Sequence, residues 1–223
     1  MPEAQSGTYT PSPARTAFST LYARVLNYVF APSDAALTTI AKECINESIQ
    51  KLNSRRWTWQ RQHDDLTLAA GTQEYDLTAT FNAPRSVQML NTSTEVVGKL
   101  FFVDPKSFDE YFPNRSAAGT PEAYTIYNEY ANGHLTLSCT PSSGFVTTYP
   151  KLRVRYYKRA ALLSGDADLF DGPTDFEPFI VWHARASLSA HMTPDKIAFA
   201  DKRSQEIWRD LVREDVLKET GDW

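Results

Sequence analysis

The sequence predicts an α+β protein: a four-helix bundle, built from N- and C-terminal helix pairs, that carries an inserted antiparallel β-sandwich or barrel domain. Two stretches before residue 57 and two after residue 172 repeat apolar residues at the three- and four-residue spacing of amphipathic helices. Between them lie short alternating runs separated by turn residues, which is typical of antiparallel sheets. Apolar residues make up 42% of the 223 residues, so the chain can bury a core without disulfides or metals.

The N-terminal part predicts a flexible arm followed by the first helix pair. Residues 1–15 are rich in Pro, Ser and Thr and have little to bury. A helix follows from Thr16 and ends before Pro32, because the residue before a proline is disfavoured in the α region. Ser33 or Asp34 can cap the second helix by accepting backbone N–H bonds. The pair spans residues 16–56, and its two apolar stripes are Phe18, Leu21, Tyr22, Val25 and Val29, then Leu37, Ile40, Ala41, Cys44, Ile45 and Leu52.

Residues 57–172 predict the inserted β-domain. Turn clusters such as Asn132-Gly133 separate the runs, and Asp104 can begin one short helix that ends at Tyr111. No glycine-rich strand-to-helix turn is present, which argues against a doubly wound nucleotide-binding fold. The strand-like runs include residues 86–90, 98–103, 124–127, 134–139 and 151–157.

The C-terminal part predicts the second helix pair, over residues 173–219, and a short tail of residues 220–223. Thr193-Pro194-Asp195 combines a capping residue, a proline at the first helical position and an acid in the first turn. Each amphipathic pair needs a partner against which to bury its stripe, so the two pairs are expected to form one bundle.

Composition narrows the class of protein. The net charge of −4 argues against a domain dedicated to nucleic acid, although one face can still be basic. The two cysteines, Cys44 and Cys139, are far apart and form no metal or redox motif. No signal peptide and no apolar run long enough for a bilayer is present, which predicts a soluble protein made in a cytoplasm, without a membrane partner.

The residues that could carry chemistry form no recognisable catalytic or metal-binding pattern. The loop with Asp166, Asp168 and Asp171 resembles a calcium loop only faintly, because Phe170 stands where an oxygen donor is needed. We therefore expect a non-enzyme with no catalytic residue, no cofactor and no metal ligand. The histidines show no ligand spacing, and two of them, eight residues apart, share one predicted helix without closer donors; the four are His63, His134, His183 and His191.

One strand carries a row of cations. Arg153 and Arg155 alternate with apolar residues, so both lie on one face of the strand. A solvated face paired with acids is the simpler interpretation, and an electropositive lining near passing nucleic acid is the functional one. Trp223, a large apolar residue near the end of the sequence, is interpreted as an anchor for a neighbouring subunit.

The order of several motifs resembles the head-to-tail connector, or adaptor, proteins of tailed bacteriophages, of the tail tubular protein A type. A helical hairpin ends in "INESIQKLNSRRWTWQR" and leads to "LTLAAGTQEYDL", a strand-Gly-strand segment. Then come "GTPEAYTIYNEYANGHLTLSCTPSS", "LRVRYYKRAALL" and a Pro-Thr-Asp-Phe entry into the C-terminal helix pair. The resemblance covers about residues 16–218.

The resemblance implies a virion protein of the neck or tail. Its expected partners are further copies of itself in a ring, commonly a dodecamer, the portal protein, tail or nozzle proteins, and DNA passing non-specifically through the channel. Residues 78–84 and 140–149 are expected to be loops that contact neighbouring subunits or the tail, and Arg153 and Arg155 are expected to line the DNA channel. The expected portal contacts are Trp208, Arg209, Arg213, Glu214 and Trp223.

Two other functions fit the sequence less well. A carbohydrate-binding or adhesin-like β-domain on a helical stalk would need several aromatic residues on one exposed sheet face, whereas here they are spread over helices and strands. A hydrolase using Asp166, Asp168 and His183 would need these residues to converge on one site.

Overall fold

A computed structural model describes residues 15–31, 34–127, 133–192 and 194–220. The described chain divides into a helical unit, up to Ser54 and again from Ala160, and a sheet unit, Arg55–Arg159. The expected arm of residues 1–15 lies outside the described residues except for Arg15, and so does the tail beyond Thr220.

The helical unit contains four long helices, and the sheet unit contains nine strands and two short helices within the described residues. In chain order the elements are α1 (Phe18–Tyr28), α2 (Ala35–Asn53), a 3-10 turn (Thr58–Gln60), β1 (Arg61–Thr67), β2 (Glu74–Asp76), β3 (Phe81–Leu90), β4 (Val96–Phe102), α3 (Pro105–Tyr111), β5 (Ala118–Gly119), β6 (Ala123–Tyr127), β7 (His134–Leu137), β8 (Thr140–Pro141), α4 (Ser143–Thr148), β9 (Lys151–Lys158), a 3-10 turn (Thr174–Phe176), α5 (Glu177–Met192) and α6 (Pro194–Thr220).

The helix starts follow local capping chemistry. The Asp34 carboxylate accepts a hydrogen bond from the Leu37 backbone N–H at 3.0 Å, which confirms its expected role as the cap of α2. Asp104 caps α3 in the same way through Ser107, at 3.1 Å, and confirms the short helix predicted there. α6 begins at Pro194, whereas Ser33 and Thr193, the other expected capping residues, lie outside the described residues.

The predicted four-helix bundle is wrong, because α5 occupies the middle of the helical unit. α5 packs against α1, α2 and α6, and α6 packs mainly on α5. The consecutive residues Phe179, Ile180 and Val181 are all buried, and so are Ala184 and Leu188. Consecutive residues point in different directions around a helix, and a helix that is apolar on several sides belongs in the centre of its unit. An amphipathic helix, as predicted from the sequence, would bury only one side.

Two asparagines of α2 hold the segment that precedes α5. The Asn46 side chain donates to the carbonyl of Leu163 and accepts from its N–H, both at 2.9 Å. Asn53, two turns later, makes the same paired contact with Ala160, at 3.0 Å and 2.8 Å. Each amide side chain thus substitutes for a strand partner and satisfies one N–H and one C=O of an otherwise irregular segment.

The predicted antiparallel sandwich or barrel is also wrong. Seven strands form one mixed sheet in the order β1-β9-β3-β4-β6-β7-β2, in which β4 and β6 are parallel and the other pairs are antiparallel. β5 and β8 form a separate parallel pair. A parallel pair needs a crossover connection, and the segment with α3 between β4 and β6 provides it. Alternating patterns predict strands but not which strands pair, so this crossover was missed.

Alternate residues of the strands build the core of the sheet unit. On β9, Leu152, Val154 and Tyr156 are buried, whereas Arg155 on the opposite face is exposed. Phe145 of α4 packs into the same core, together with Leu135 of β7 and other apolar residues. The outer face of β9 is therefore formed by the residues that alternate with its buried ones, Lys151, Arg153 and Arg155.

No helix in the described part of the chain is long and apolar enough to cross a bilayer.

The asparagine contacts lead to a first test. We expect Asn46→Asp and Asn53→Asp each to lower the free energy of unfolding by about 2 kcal/mol, because a carboxylate cannot donate to the carbonyl of Leu163 or Ala160. Urea unfolding followed by circular dichroism measures this change. Asn114→Asp is the matched control on an exposed residue, with an expected change within about 0.5 kcal/mol. Equal changes for all three variants would contradict the structural role of the two pairs.

Candidate interaction surfaces

A depression of about 420 Å³ lies between α2, α5 and α6 in the helical unit. The rings of Phe179 and Trp208 lie in it with 5.0 Å between their centroids, and the ammonium group of Lys51 lies 6.0 Å from the Trp208 ring centroid. Asp201 accepts a hydrogen bond from the Gln205 amide at 2.7 Å, and exposed Arg209 completes the rim. Aromatic surface beside a guanidinium is typical of the residues that contribute most to protein–protein binding.

His183 lies in the same depression and is held in one orientation. Its Nδ1 is 3.0 Å from the hydroxyl of Ser48, and that hydroxyl donates its one proton to the carbonyl of Cys44 at 2.8 Å. This contact ties the imidazole to α2. Burial, with a smaller contribution from Lys51, lowers the pKa of His183, so the neutral ring is favoured.

A second depression, of about 410 Å³, lies on α6 beside the start of α5 and is acidic. Asp175, Asp210 and Glu214 surround a small apolar surface formed by Ile207 and Leu211 with Pro178. No basic residue is among those that line it, so it has the opposite electrostatic character to an anion-binding surface.

The outer face of β9 is divided into a neutralised and a cationic part. The guanidinium of Arg153 donates to both carboxylate oxygens of Asp65 on β1, from Nε at 2.8 Å and from Nη2 at 2.9 Å. This pairing is the main cause that lowers the pKa of Asp65. Arg155, which pairs with His63 across the strands, is exposed and forms no ion pair with any described residue. Of the two expected DNA-channel residues, only Arg155 therefore presents an uncompensated charge.

A family model for the SU10 adaptor protein matches residues 16–219. The chain belongs to the SU10 adaptor protein family. The match covers nearly all of the helical and sheet units and confirms the predicted resemblance to phage head-to-tail adaptors. The narrower expectation of a tail tubular protein A type stays a prediction. A search of curated proteins finds no significant match.

In this SU10 adaptor the expected portal residues are distributed over two surfaces of α6. Trp208 and Arg209 line the depression that contains His183, whereas Glu214 lines the acidic one. Arg213 is exposed on the same helix, and Trp223 lies outside the described residues. Lys51 and His183 could not be recognised as neighbours of Trp208 from the sequence. Lys51 lies on a helix more than 120 residues before α6, and periodicity does not show which sides of α5 and α6 meet.

The other candidate residues of the SU10 adaptor have local structural partners. The carboxylate of Asp166 accepts from Lys42 at 2.8 Å, and that of Asp168 accepts from the backbone N–H groups of Ser164 and Gly165. Among the described residues no group of three potential ligands could hold a metal ion. The expectation that residues 78–84 and 140–149 are loops is wrong in part, because β3 begins at residue 81 and the second range contains β8 and α4.

The half-buried imidazole of His183 makes stability depend on pH. Because the pKa of His183 is lowered in the folded state, the unfolded chain takes up a proton more readily below the ordinary histidine pKa of about 6.5. We expect the free energy of unfolding to fall as pH decreases through this value, and to fall less steeply in His183→Gln. Urea unfolding between about pH 7.5 and 5 measures both slopes. His63→Gln, on an exposed residue, is the control, and identical slopes for wild type and His183→Gln would refute the assignment.

Proposed function

We propose that this SU10 adaptor is a structural subunit of the phage neck, which assembles into a homo-oligomeric ring, as a dodecamer, between the portal and the tail. In this function the ring also lines the channel through which DNA passes during ejection, and tail or nozzle proteins bind on its other side. The subunit is made in the host cytoplasm and becomes part of the virion.

The family match over residues 16–219 carries this proposal. The family is one of structural phage adaptors, whose function is to connect other proteins and requires no catalytic site. Asp166, Asp168 and His183, the residues of the hydrolase alternative, each contribute to local hydrogen bonds in the helical unit, which favours the structural function.

Exposed apolar side chains support self-association. Phe101 of β4 is 73% exposed, and Phe199 and Leu217 of α6 are 61% and 64% exposed. Large exposed apolar groups commonly mark protein–protein contacts. A ring requires two different patches on each copy, because each subunit contacts its neighbours through unlike surfaces. Exposed groups in both the sheet unit and the helical unit are compatible with such an arrangement.

The portal contact is proposed for α6, at Trp208, Arg209, Arg213 and Glu214, with Trp223 as a further contact beyond the described residues. Trp208 and Arg209 support it because they line one depression that can receive an apolar side chain from a partner. The channel contact is proposed for Arg153 and Arg155. Arg155 is the stronger candidate, since Arg153 already binds Asp65.

Assembly is tested by light scattering of the full chain, alone and mixed with its portal and tail proteins. We expect a species of defined stoichiometry, with a mass of many subunits, to form at least in the presence of the portal. Long-lived interfaces in such assemblies bury on the order of 2,000 Å² or more, so the complex should survive dilution. A chain that stays monomeric in every mixture would refute the ring.

The portal contact is tested by charge reversal on α6. We expect Arg209→Glu and Arg213→Glu to weaken binding to the portal by at least about tenfold in combination, through the loss of attraction and the new repulsion. Surface plasmon resonance on immobilised portal measures the affinity. Lys202→Glu, an exposed residue on the same helix, makes the same charge change and is the control. If the double variant and the control bind equally well, these residues do not contact the portal.

A further inference from the structure

We infer that the sheet unit contains a discrete phosphate-binding site formed by Arg85 and Arg155, with Arg61 and His63 beside them. The inference deepens the proposed function, since it assigns a chemical contact to the surface proposed to meet DNA. These residues, together with Gln62, line a shallow depression of about 200 Å³ on β1, β3 and β9. No carboxylate is among the residues that line it.

Strand pairing brings these cations together although they repel one another. Arg155 lies directly opposite His63 on β1 and Ser86 on β3. Arg61 is therefore its diagonal neighbour on β1, and Arg85, next to Ser86, is its neighbour on β3. Like charges on adjacent strands destabilise a sheet. Arg85 and Arg155 line one depression with no carboxylate in its lining, so their repulsion is a cost to folding that a bound anion would offset.

The acids of β1 are already engaged elsewhere. Asp65 binds Arg153 through both oxygens, and Asp64 accepts a hydrogen bond from the hydroxyl of Tyr156 at 2.9 Å. Tyr156 belongs to the buried face of β9, so Asp64 is directed away from Arg155. Arg153 and Arg155 lie two residues apart on β9. Arg153 forms an ion pair with Asp65, whereas Arg155 has no such partner among the described residues. The guanidinium group of Arg155 is therefore able to bind an anion from outside the chain.

A β-bulge directs Arg85 toward this site. Pro84 pairs with Tyr156 and Ser86 with Arg155, so Arg85 is an extra residue between two consecutive partners on β9. Bulges of this kind change the direction of a side chain. The Arg85 guanidinium lies over the ring of Tyr157, with 5.6 Å to the ring centroid. A cation–π contact involves the face of the guanidinium and therefore leaves its N–H groups available to a ligand.

The chemistry of the site favours phosphate over carboxylate. A carboxylate has two oxygens, and a single arginine satisfies both, as Arg153 does for Asp65. A phosphate group presents more oxygens to several donors at once, and guanidinium groups bind it in a bidentate manner. The group that the site binds is therefore a phosphate, which can belong to a nucleic-acid backbone or to a free polyphosphate.

The test uses the full chain at low ionic strength, with inorganic pyrophosphate in calorimetry and a short random-sequence DNA duplex in fluorescence anisotropy. We expect Arg85→Gln and Arg155→Gln together to weaken the binding of both probes by at least about tenfold, because each removes charge-assisted hydrogen bonds. The magnitude of the salt slope for the duplex should also fall by about one for each phosphate that the variant no longer neutralises. Binding of the duplex but not of pyrophosphate assigns the site to nucleic acid; binding of both assigns it to phosphate in general.

Matched variants test whether the loss of binding is specific to Arg85 and Arg155. Arg85→Lys with Arg155→Lys preserves charge and should retain part of the affinity, whereas Lys99→Gln with Lys106→Gln removes two exposed cations of the sheet unit that do not line the depression and should leave pyrophosphate binding unchanged. Lys202→Gln removes one exposed cation from α6 and should also have no effect. Circular dichroism verifies that each variant is folded.

Three results would overturn the site. These are no binding of either probe by the wild type, an equal loss of affinity in Lys202→Gln, and tighter binding of polyglutamate than of pyrophosphate. The portal and ring measurements are independent of these, so a chain that assembles but binds no phosphate refutes only this inference. A chain that binds phosphate but never assembles refutes only the ring.

Discussion

The helical unit depends on how α2 holds the returning chain. Asn46 and Asn53 each pair with the backbone of one residue, Leu163 or Ala160, and so fix a segment that has no regular structure of its own. A bridge between Ala17 and Leu169 continues the attachment at the start of α1. α5 follows this segment after a 3-10 turn, so contacts made before its first turn bring it to α1 and α2. Apolar packing then stabilises an arrangement that side-chain amides have already specified.

Charge on the sheet unit is likewise arranged by local pairing. Arg153 and Asp65 face each other across β9 and β1 and neutralise one another, which is the usual arrangement for a solvated strand face. Two pairs further along, Arg155 faces His63, and the bulge in β3 adds Arg85. One part of β9 therefore makes a stabilising ion pair, and the next part presents a cationic surface to which a ligand can bind. The exposed guanidinium groups belong to a protein whose net charge is −4, so a local surface can have the opposite sign to the whole chain.

The sequence predicted what is local and missed what depends on distant pairing. Helical periodicity identified α1, α2, α5 and α6, and the Asp34 and Asp104 caps followed from their positions before helices. The arrangement of those helices could not be obtained in this way, because burial of Phe179, Ile180 and Val181 together becomes apparent only when three neighbours surround α5. For the candidate surfaces, alternation placed Arg153 and Arg155 on one face, but the pairing of β1 with β9 decides which of them is neutralised. No spacing within either strand contains that information.

The helical unit is assembled from two stretches of chain separated by the whole sheet unit, residues 55–159. During synthesis on a ribosome, the sheet unit emerges before α5 does, so its strands can pair first. The apolar stripe of α1 and α2 remains exposed throughout that interval and is covered only when α5 appears. Completion of the helical unit consequently requires closure of a loop more than a hundred residues long, which carries an entropic cost that contacts within a single helix pair do not.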